Sequence, residues 1–324
     1  MVRTRAALPR PLGAAVGVVV DELVGEPPAR LHPVGLFGRS MTAVERLTYE
    51  DRRAAGVVHA VVGVGMGMGA GSAVGTTTAT YIAVAGRELR AVAQSVGAAL
   101  AADDLERARA ILPGLVGRDV SVLDRDGMAR AVVESVAENT VDAVVAPAWW
   151  AATAGAPGVL GYRAVNTLDA MVGHRSERYA RFGWASARLD DVAAFLPARL
   201  TAALVTAVRP GSTRAVWRAV WDQAPAHPSP NAGVAEAAFA GALGLRLGGD
   251  NRYGDVTDRR PVLGDGRAPC PDDIGRAVLL SRDVSRALVV VLAGTGIAAL
   301  RRRRRARHTT VRVLAGPPPA QAER

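Results

Sequence analysis

Hydrophobic residues along this chain fall in long blocks, and the charged residues fall between them. The longest block covers residues 54–85 and is interrupted only by His59 and by serines and threonines. Within it Gly63, Gly67, Gly71 and Gly75 recur every four residues, and Gly65 and Gly69 repeat the spacing. Positions i and i+4 share a helix face, so these glycines make a smooth stripe that lets another backbone come close. In water each glycine would weaken a helix by about 1 kcal/mol relative to alanine. In lipid the backbone must satisfy its own hydrogen bonds, which leaves a helix as the conformation available. A transmembrane helix is predicted here.

Three further apolar segments follow. Residues 141–160 carry Pro147 and Pro157 around the pair Trp149 and Trp150. Residues 192–208 contain Pro197 and Arg199. Residues 284–300 are clean apart from Arg286 and end in Arg301 to Arg305, a run that reads as a cytoplasmic stop. Residues 12–20 are too short to span alone, since a span needs about 20 residues. Arginines 3, 5 and 10 before that stretch are signal-like, but no cleavage site follows and the segment is expected to be retained. An arginine facing lipid at mid-span costs about 3 kcal/mol. Residues 192–208 are therefore expected against protein or a water-filled cavity, as a broken or re-entrant helix, and the proline-interrupted 141–160 invites the same reading.

The pattern predicts an all-α fold: a multi-pass helical membrane protein with broken or re-entrant helices and helical soluble insertions. One membrane-embedded domain is expected over residues 1–300. Its insertions lie at about 86–135, with a break near Leu112-Pro113-Gly114, and at about 209–283, a mixture of short helices and Gly- and Pro-rich loops. The basic tail 301–324 is expected to be disordered.

Composition narrows the chemistry. The net charge is +10, and every one of the lysine-type cations is arginine, because the chain contains no lysine. A Walker A phosphate loop and a Schiff-base amine are thereby excluded. Aromatics are only 4% and no basic stripe alternates with stacking rings, so no nucleic-acid partner is expected. Cys270 stands alone, which excludes an internal disulfide and a cysteine zinc cluster.

Polar residues gather at the edges of the apolar blocks. Glu134, Glu138 and Asp142 stand at i, i+4 and i+8, with Asn139 beside them. Like charges at i+4 repel by a few tenths of a kcal/mol, so a cation beside them would be favourable. A hard divalent ion satisfies this spacing, and so does a solvated acidic face. Asn166 and Asp169 are helix neighbours, and Arg175 and Arg178 have the geometry to meet phosphate or carboxylate bidentately. Arg188 precedes Asp190 and Asp191, and a helix cap is the favoured role for one of the two. Asn231 lies in Ser-Pro-Asn-Ala-Gly ahead of Glu236, and Gly248-Gly249 lead into Asp250, Asn251 and Arg252, where a ligand can approach the backbone. His32 follows the acidic stretch that begins at Asp21. No Ser/His/Asp triad and no HExxH zinc helix is present.

Taken together, residues 21–39, VAENTVDAVVAP (136–147), NTLDAMVGHRSERY (166–179), FGWASARLDDVAAFLPAR (182–199), SPNAGVAEAAFAGALGLRL (229–247) and GGDNRY (248–253) resemble the successive signatures of the CobD/CbiB family. They occur in order over roughly residues 12–300. The sequence departs from the family pattern in using arginine where relatives often have lysine, and in the tail beyond Leu300.

The resemblance implies an integral membrane ligase of cobalamin biosynthesis in the cell membrane, with its site facing the cytoplasm. It would join (R)-1-aminopropan-2-yl phosphate, or free aminopropanol, to adenosylcobyric acid, using ATP and Mg²⁺, with other enzymes of the pathway as possible partners. On that basis Asp142, Asp169, Asp190 and Asp191 are the expected metal ligands. Glu138, Asn139, Asn166 and Asn231 are the expected catalytic and orienting residues. His32, Arg175, Arg188, Arg199, Asp250, Asn251 and Arg252 are expected to bind substrate and phosphate. A non-catalytic regulator or transporter of the same superfamily is the alternative, and the density of paired polar motifs weighs against it. A diphosphate-binding prenyltransferase ranks lower, because Asn166-x-x-Asp169 has no twin.

Overall fold

Small residues decide how the helices of this protein pack. The structure, a computed structural model, describes residues 8–27, 32–117, 119–174, 176–253 and 256–314, without the side chains of 250–259, 304 and 306–314. Among them α1 (Arg10–Val24), α2 (Pro33–Thr48), α3 (Arg53–Ser72) and α4 (Thr76–Ala83) come first. The glycine stripe of α3 is one-sided. A Cβ on Gly63 would fall 2.7 Å from Leu168 Cδ1, on Gly67 2.6 Å from Leu160 O, and on Gly71 2.5 Å from Ala156 O. Those neighbours belong to α8 (Ala146–Leu168), so this face is the seam between α3 and α8. Gly65 and Gly69 face open space. The predicted block 54–85 is divided, because the chain turns at Ala73 to Gly75 and Gly75 takes an extended conformation before α4.

Helix α1 lies against α4, where a Cβ on Gly17 would fall 2.5 Å from Thr80 Cβ. It also meets the last helix, α13 (Asp272–Leu314), where Gly296 abuts Leu12. Large apolar side chains are exposed on several long helices: Val58 and Val61 on α3, Val192 and Leu196, and Val290 and Val291 on α13. Exposed valine and leucine on long apolar helices suit a lipid surround. Among the described residues three helical stretches are long and apolar enough to cross a membrane, Arg53–Ser72, Arg125–Gly173 and Asp272–Arg303. A fourth is formed if α9 (Trp184–Ala193) and α10 (Phe195–Val208), bent by 40° against each other, count as one broken span.

Both expected breaks are present. Helix α8 kinks at Gly155, whose φ of 74° only glycine adopts easily, two residues before Pro157. The kink is supported from outside, where Arg10 Nη1 donates to Thr153 O at 2.9 Å. At the α9–α10 bend Trp150 Nε1 donates to Ala193 O at 3.1 Å. Arg199 turns toward protein, donating to Asn231 Oδ1 at 2.9 Å.

The first insertion is α5 (Gly86–Ala101) and α6 (Leu105–Ile111), a single turn at Leu112–Gly114, and α7 (Arg125–Thr140). Asp104 and Asp124 cap α6 and α7 through the amides of Arg107 and Gly127. The second holds α11 (Thr213–Arg218), α12 (Ala232–Leu243) and an antiparallel hairpin, β1 (Leu247–Tyr253) with β2 (Val256–Leu263). The hairpin differs from the helix-and-loop mixture expected there. Gly248 and Gly249, at φ 83° and 93°, let β1 begin, and a Cβ on Gly248 would fall 2.0 Å from Pro261 O.

Asp273 anchors the start of α13. It accepts from Cys270 N at 2.9 Å, from Arg267 at 2.7 and 2.9 Å, and from Arg276 at 2.6 Å. The buried stripe Ile274, Val278, Ser281, Ser285, Leu288 and Leu292 follows at helical spacing. The helix runs on through the arginines to Leu314, so residues 301–314 are helical and not the unstructured tail the composition suggested. Arginine is a strong helix former, and a helix already nucleated in the bilayer extends at little cost. Residues 315–324 lie outside the described residues.

Candidate functional site

The polar centre is built around Asn166, near the end of α8. Its Nδ2 lies 3.3 Å from Asp142 Oδ2 and 3.4 Å from Asp190 Oδ1, and its Oδ1 accepts from Arg163 Nη1 at 3.2 Å. Asp142 stands in a widened helical turn, Val141–Val145, before α8, and Asp169 in a second one, Asp169–Gly173, after it. Such turns re-aim side chains and recur at functional sites. Asp190 comes from α9 with Asp191, which pairs with Arg188 at 3.3 Å. Tyr162 completes the near side, donating to Asp142 O at 3.4 Å. Asp142, Asp169 and Asp190 act electrostatically on one another, so three distant motifs meet here.

Asn231 extends the same cluster: its Nδ2 donates to Asp191 O at 2.8 Å and its Oδ1 takes Arg199, whose guanidinium also lies 3.6 Å over the Phe195 ring. Arg163 reaches the opposite side and is a charged neighbour of Glu26 and His32. Burial raises the Glu26 carboxyl and lowers the His32 imidazole, Arg163 opposing the first shift and adding to the second. His32 caps α2 through Val34 N at 3.3 Å and faces Glu26 at 3.6 Å.

Other expected residues are employed differently. Asn139 turns its amide back to Ser135 O at 2.9 Å, along its own helix. Arg178 is bound to Glu45 at 3.1 Å and stacks on Tyr49 at 4.0 Å, fastening the loop after Asp169 to α2. Arg175 lies outside the described residues, and Asp250, Asn251 and Arg252 stand on β1 without described side chains. The backbone of Gly248 is occupied by protein: its N–H goes to Glu134 Oε1 at 2.8 Å and its carbonyl to Arg130.

The carboxylates of α7 and the turn after it therefore serve separate partners. Glu134 holds the hairpin, Glu138 faces Glu236 of α12, and Asp142 meets Asn166. One cation shared by all three does not fit this division. Among the described residues no three acidic, histidine or cysteine side chains gather closely enough for an all-protein metal cage. Mg²⁺ asks for less, one or two carboxylates with substrate phosphate and water. Asp142 and Asp190, two carboxylates meeting at a single amide nitrogen, supply hard oxygen donors with an excess of negative charge, and this donor set fits Mg²⁺.

Gly173 keeps Asp169 in place, because a Cβ there would fall 1.8 Å from Asp169 Oδ1. Gly173→Ala should push that carboxylate aside while the midpoint of thermal unfolding in detergent changes little, which a thermal scan of the two proteins checks.

Sequence reasoning passed over Arg163, Tyr162, His227 and Arg260 as site residues. Arg163 was findable, since it precedes Asn166 by three and shares its helix face. His227 and Arg260 meet at 2.9 Å from a loop and a strand, and no local spacing announces such a pair.

A sequence profile described as CobD/Cbib protein matches residues 14–281. The chain is 48% identical to the cobalamin biosynthesis protein CobD of Mycobacterium tuberculosis over 90% of this chain and 95% of that one. It is 43% identical to the protein of that name from Chromobacterium violaceum (82% and 90% covered) and 39% identical to that of Geobacter metallireducens (87% and 95%). No solved structure matches.

Proposed function

This chain belongs to the CobD/Cbib protein family, and from that premise we propose that it serves cobalamin biosynthesis as adenosylcobinamide-phosphate synthase. The reaction joins the free carboxylate of adenosylcobyric acid to the amine of (R)-1-aminopropan-2-yl phosphate, or of aminopropanol, at the expense of ATP. The observation that carries the reading is the meeting of Asp142, Asn166 and Asp190, drawn from three family motifs, with Arg163 alongside.

A carboxylate is a poor electrophile and an ammonium is no nucleophile. Amide formation therefore needs transfer of a phosphoryl group to the carboxylate, and then attack of the free amine on the acyl phosphate with phosphate leaving. Mg²⁺ held by Asp142 and Asp190, with Asp169 and Asp191 close by, would neutralise nucleotide phosphate charge. Arg163 and Arg188 flank those carboxylates and supply charge-assisted donors to phosphate or to the incoming carboxylate. Asn166, tethered on both sides, fixes the spacing of the two aspartates. Arg199 and Asn231 brace Asp191 from behind. ATP is cytoplasmic, so the site faces that side.

Purified protein in detergent, given ATP, Mg²⁺, adenosylcobyric acid and the aminopropanol phosphate, should yield the amide product by mass spectrometry. Failure with both the phosphorylated and the free amine, from protein that elutes as a single species, would defeat the proposal. Rescue of a strain blocked after cobyric acid separates it from a regulator or transporter.

A further inference from the structure

The last helix carries charge that the ligase reading leaves without a task. Arg301, Arg302, Arg303 and Arg305 are exposed on α13, beyond the residues that the family profile matches. Arg301 and Arg305 stand one helical turn apart and repel each other. The chain has no acidic residue before Asp21 and none between Asp283 and Glu323, so the neighbouring sequence offers the run no carboxylate.

Contacts along α13 fix where the run stands. Ser281 Oγ lies 2.8 Å from the hydroxyl of Thr140, two residues before Asp142. Ser285 accepts from Arg90 at 3.3 Å, and Arg90 also binds Glu22 near the end of α1. Further along, Gly296 abuts Leu12, near the start of α1. Helices α1 and α13 are therefore antiparallel, and Arg10 lies at the same end as Arg301. Arg10 in turn donates to Thr153 O at 2.9 Å. Thr153 belongs to the tip at which α8 folds back on itself, since Asp142 and Asn166 meet from either side of Gly155. One end of the bundle thus holds the carboxylates of the site, and the other holds that tip, Arg10 and the arginine run. From Ser281 to Arg301 is about 20 residues, or about 30 Å of helix, which is the thickness of the hydrocarbon core of a bilayer. Between Arg286 and Arg301 the helix carries no charge.

We infer that Arg10, Arg301, Arg302, Arg303 and Arg305 bind the phosphates of anionic phospholipids in the leaflet opposite the site. A guanidinium meets phosphate oxygens with paired, charge-assisted donors. Lipid is the partner because the run begins where α13 leaves its uncharged span, at the depth of the headgroups. The ligase reading decides only which leaflet this is. With the site cytoplasmic it is the outer one, and the run is not the cytoplasmic stop that its composition suggests. The first insertion leaves the bundle at the end that holds the site, where Ala85 N donates to Ala143 O at 3.0 Å. It carries Arg87, Arg107, Arg109 and Arg125, so the positive-inside bias has arginines on that face as well.

Two measurements on the full chain test the inference. In a Cys270→Ser background, Arg302→Cys reports one end, and Glu106→Cys, exposed on α6, reports the other. A membrane-impermeant maleimide should label Glu106→Cys in inverted vesicles and Arg302→Cys in right-side-out ones. Labelling of both from one side would overturn the inference. Opposite sides in the reverse pattern would support it and defeat the cytoplasmic ligase site instead. The second measurement is native mass spectrometry of the detergent-solubilised protein titrated with phosphatidylglycerol. Combining Arg301→Gln, Arg302→Gln, Arg303→Gln and Arg305→Gln should weaken that binding about 30-fold, the scale of two arginines per headgroup, and leave phosphatidylcholine binding unchanged. Equal phosphatidylglycerol affinity in the two proteins, or displacement of the lipid by inorganic phosphate, would overturn the assignment to lipid.

Discussion

Asp142→Asn and Asp169→Asn are each expected to lower amide formation by about 1000-fold, while the protein still folds in the membrane. The size is that of removing one group placed to stabilise developing charge in a water-poor site. Asparagine keeps the shape of aspartate and, with its amide oriented suitably, still accepts from Asn166 Nδ2, now 3.3 Å from Asp142. Only the charge is lost. Because Asp142, Asp169 and Asp190 repel one another, removing one charge should leave stability unchanged or raise it. Falling activity with steady or rising thermal stability is the opposite of what a damaged core gives. Mass spectrometry of product and thermal unfolding in detergent read the two quantities. Full activity in both variants would remove the metal site from the proposal.

The second large effect lies in the seam between α3 and α8. Gly71→Ala should destabilise the protein by about 3 kcal/mol, the upper part of the range for overpacking. The added carbon would lie 2.5 Å from Ala156 O and 2.6 Å from Pro157 Cα, and neither backbone atom can rotate away. Gly69→Ala, two residues earlier on the same helix, meets open space. It should be neutral, or stabilising by up to about 1 kcal/mol through helix propensity. The pair is measured by thermal unfolding in one detergent and by yield in the membrane fraction. Equal behaviour of the two variants would mean that α3 presents a different face to α8. The seam also matters to the site, because the same helix α8 carries Arg163 and Asn166 at its other end.

How far the sequence reached can be judged residue by residue. The i, i+4 glycines marked α3 as a membrane helix, yet two stripes were available and spacing alone does not say which one meets a partner. Gly63, Gly67 and Gly71 do, and Gly65 and Gly69 do not. Pro157 and Pro197 marked broken helices, and the kink and the 40° bend lie beside them. The hairpin was missed because its register is set by contacts from Glu134 and Arg130 on α7, more than a hundred residues away.

The acidic triplet shows the same division. Spacing placed Glu134, Glu138 and Asp142 along one face and left a shared cation or a solvated surface as equal readings. The tertiary structure gives each a different partner, two of them buried in protein. Conversely, Asp142, Asn166 and Asp190 are 24 residues apart in succession, and nothing local required their convergence.

By itself, the sequence determined the helices, their breaks and the lipid-facing character of the fold, because helix periodicity, proline and bilayer thickness act over one to twenty residues. Which carboxylates meet, which asparagine stands between them and which are spent as anchors was decided only when the helices packed. Those choices depend on long-range contacts, whose partners leave no periodic trace along the chain.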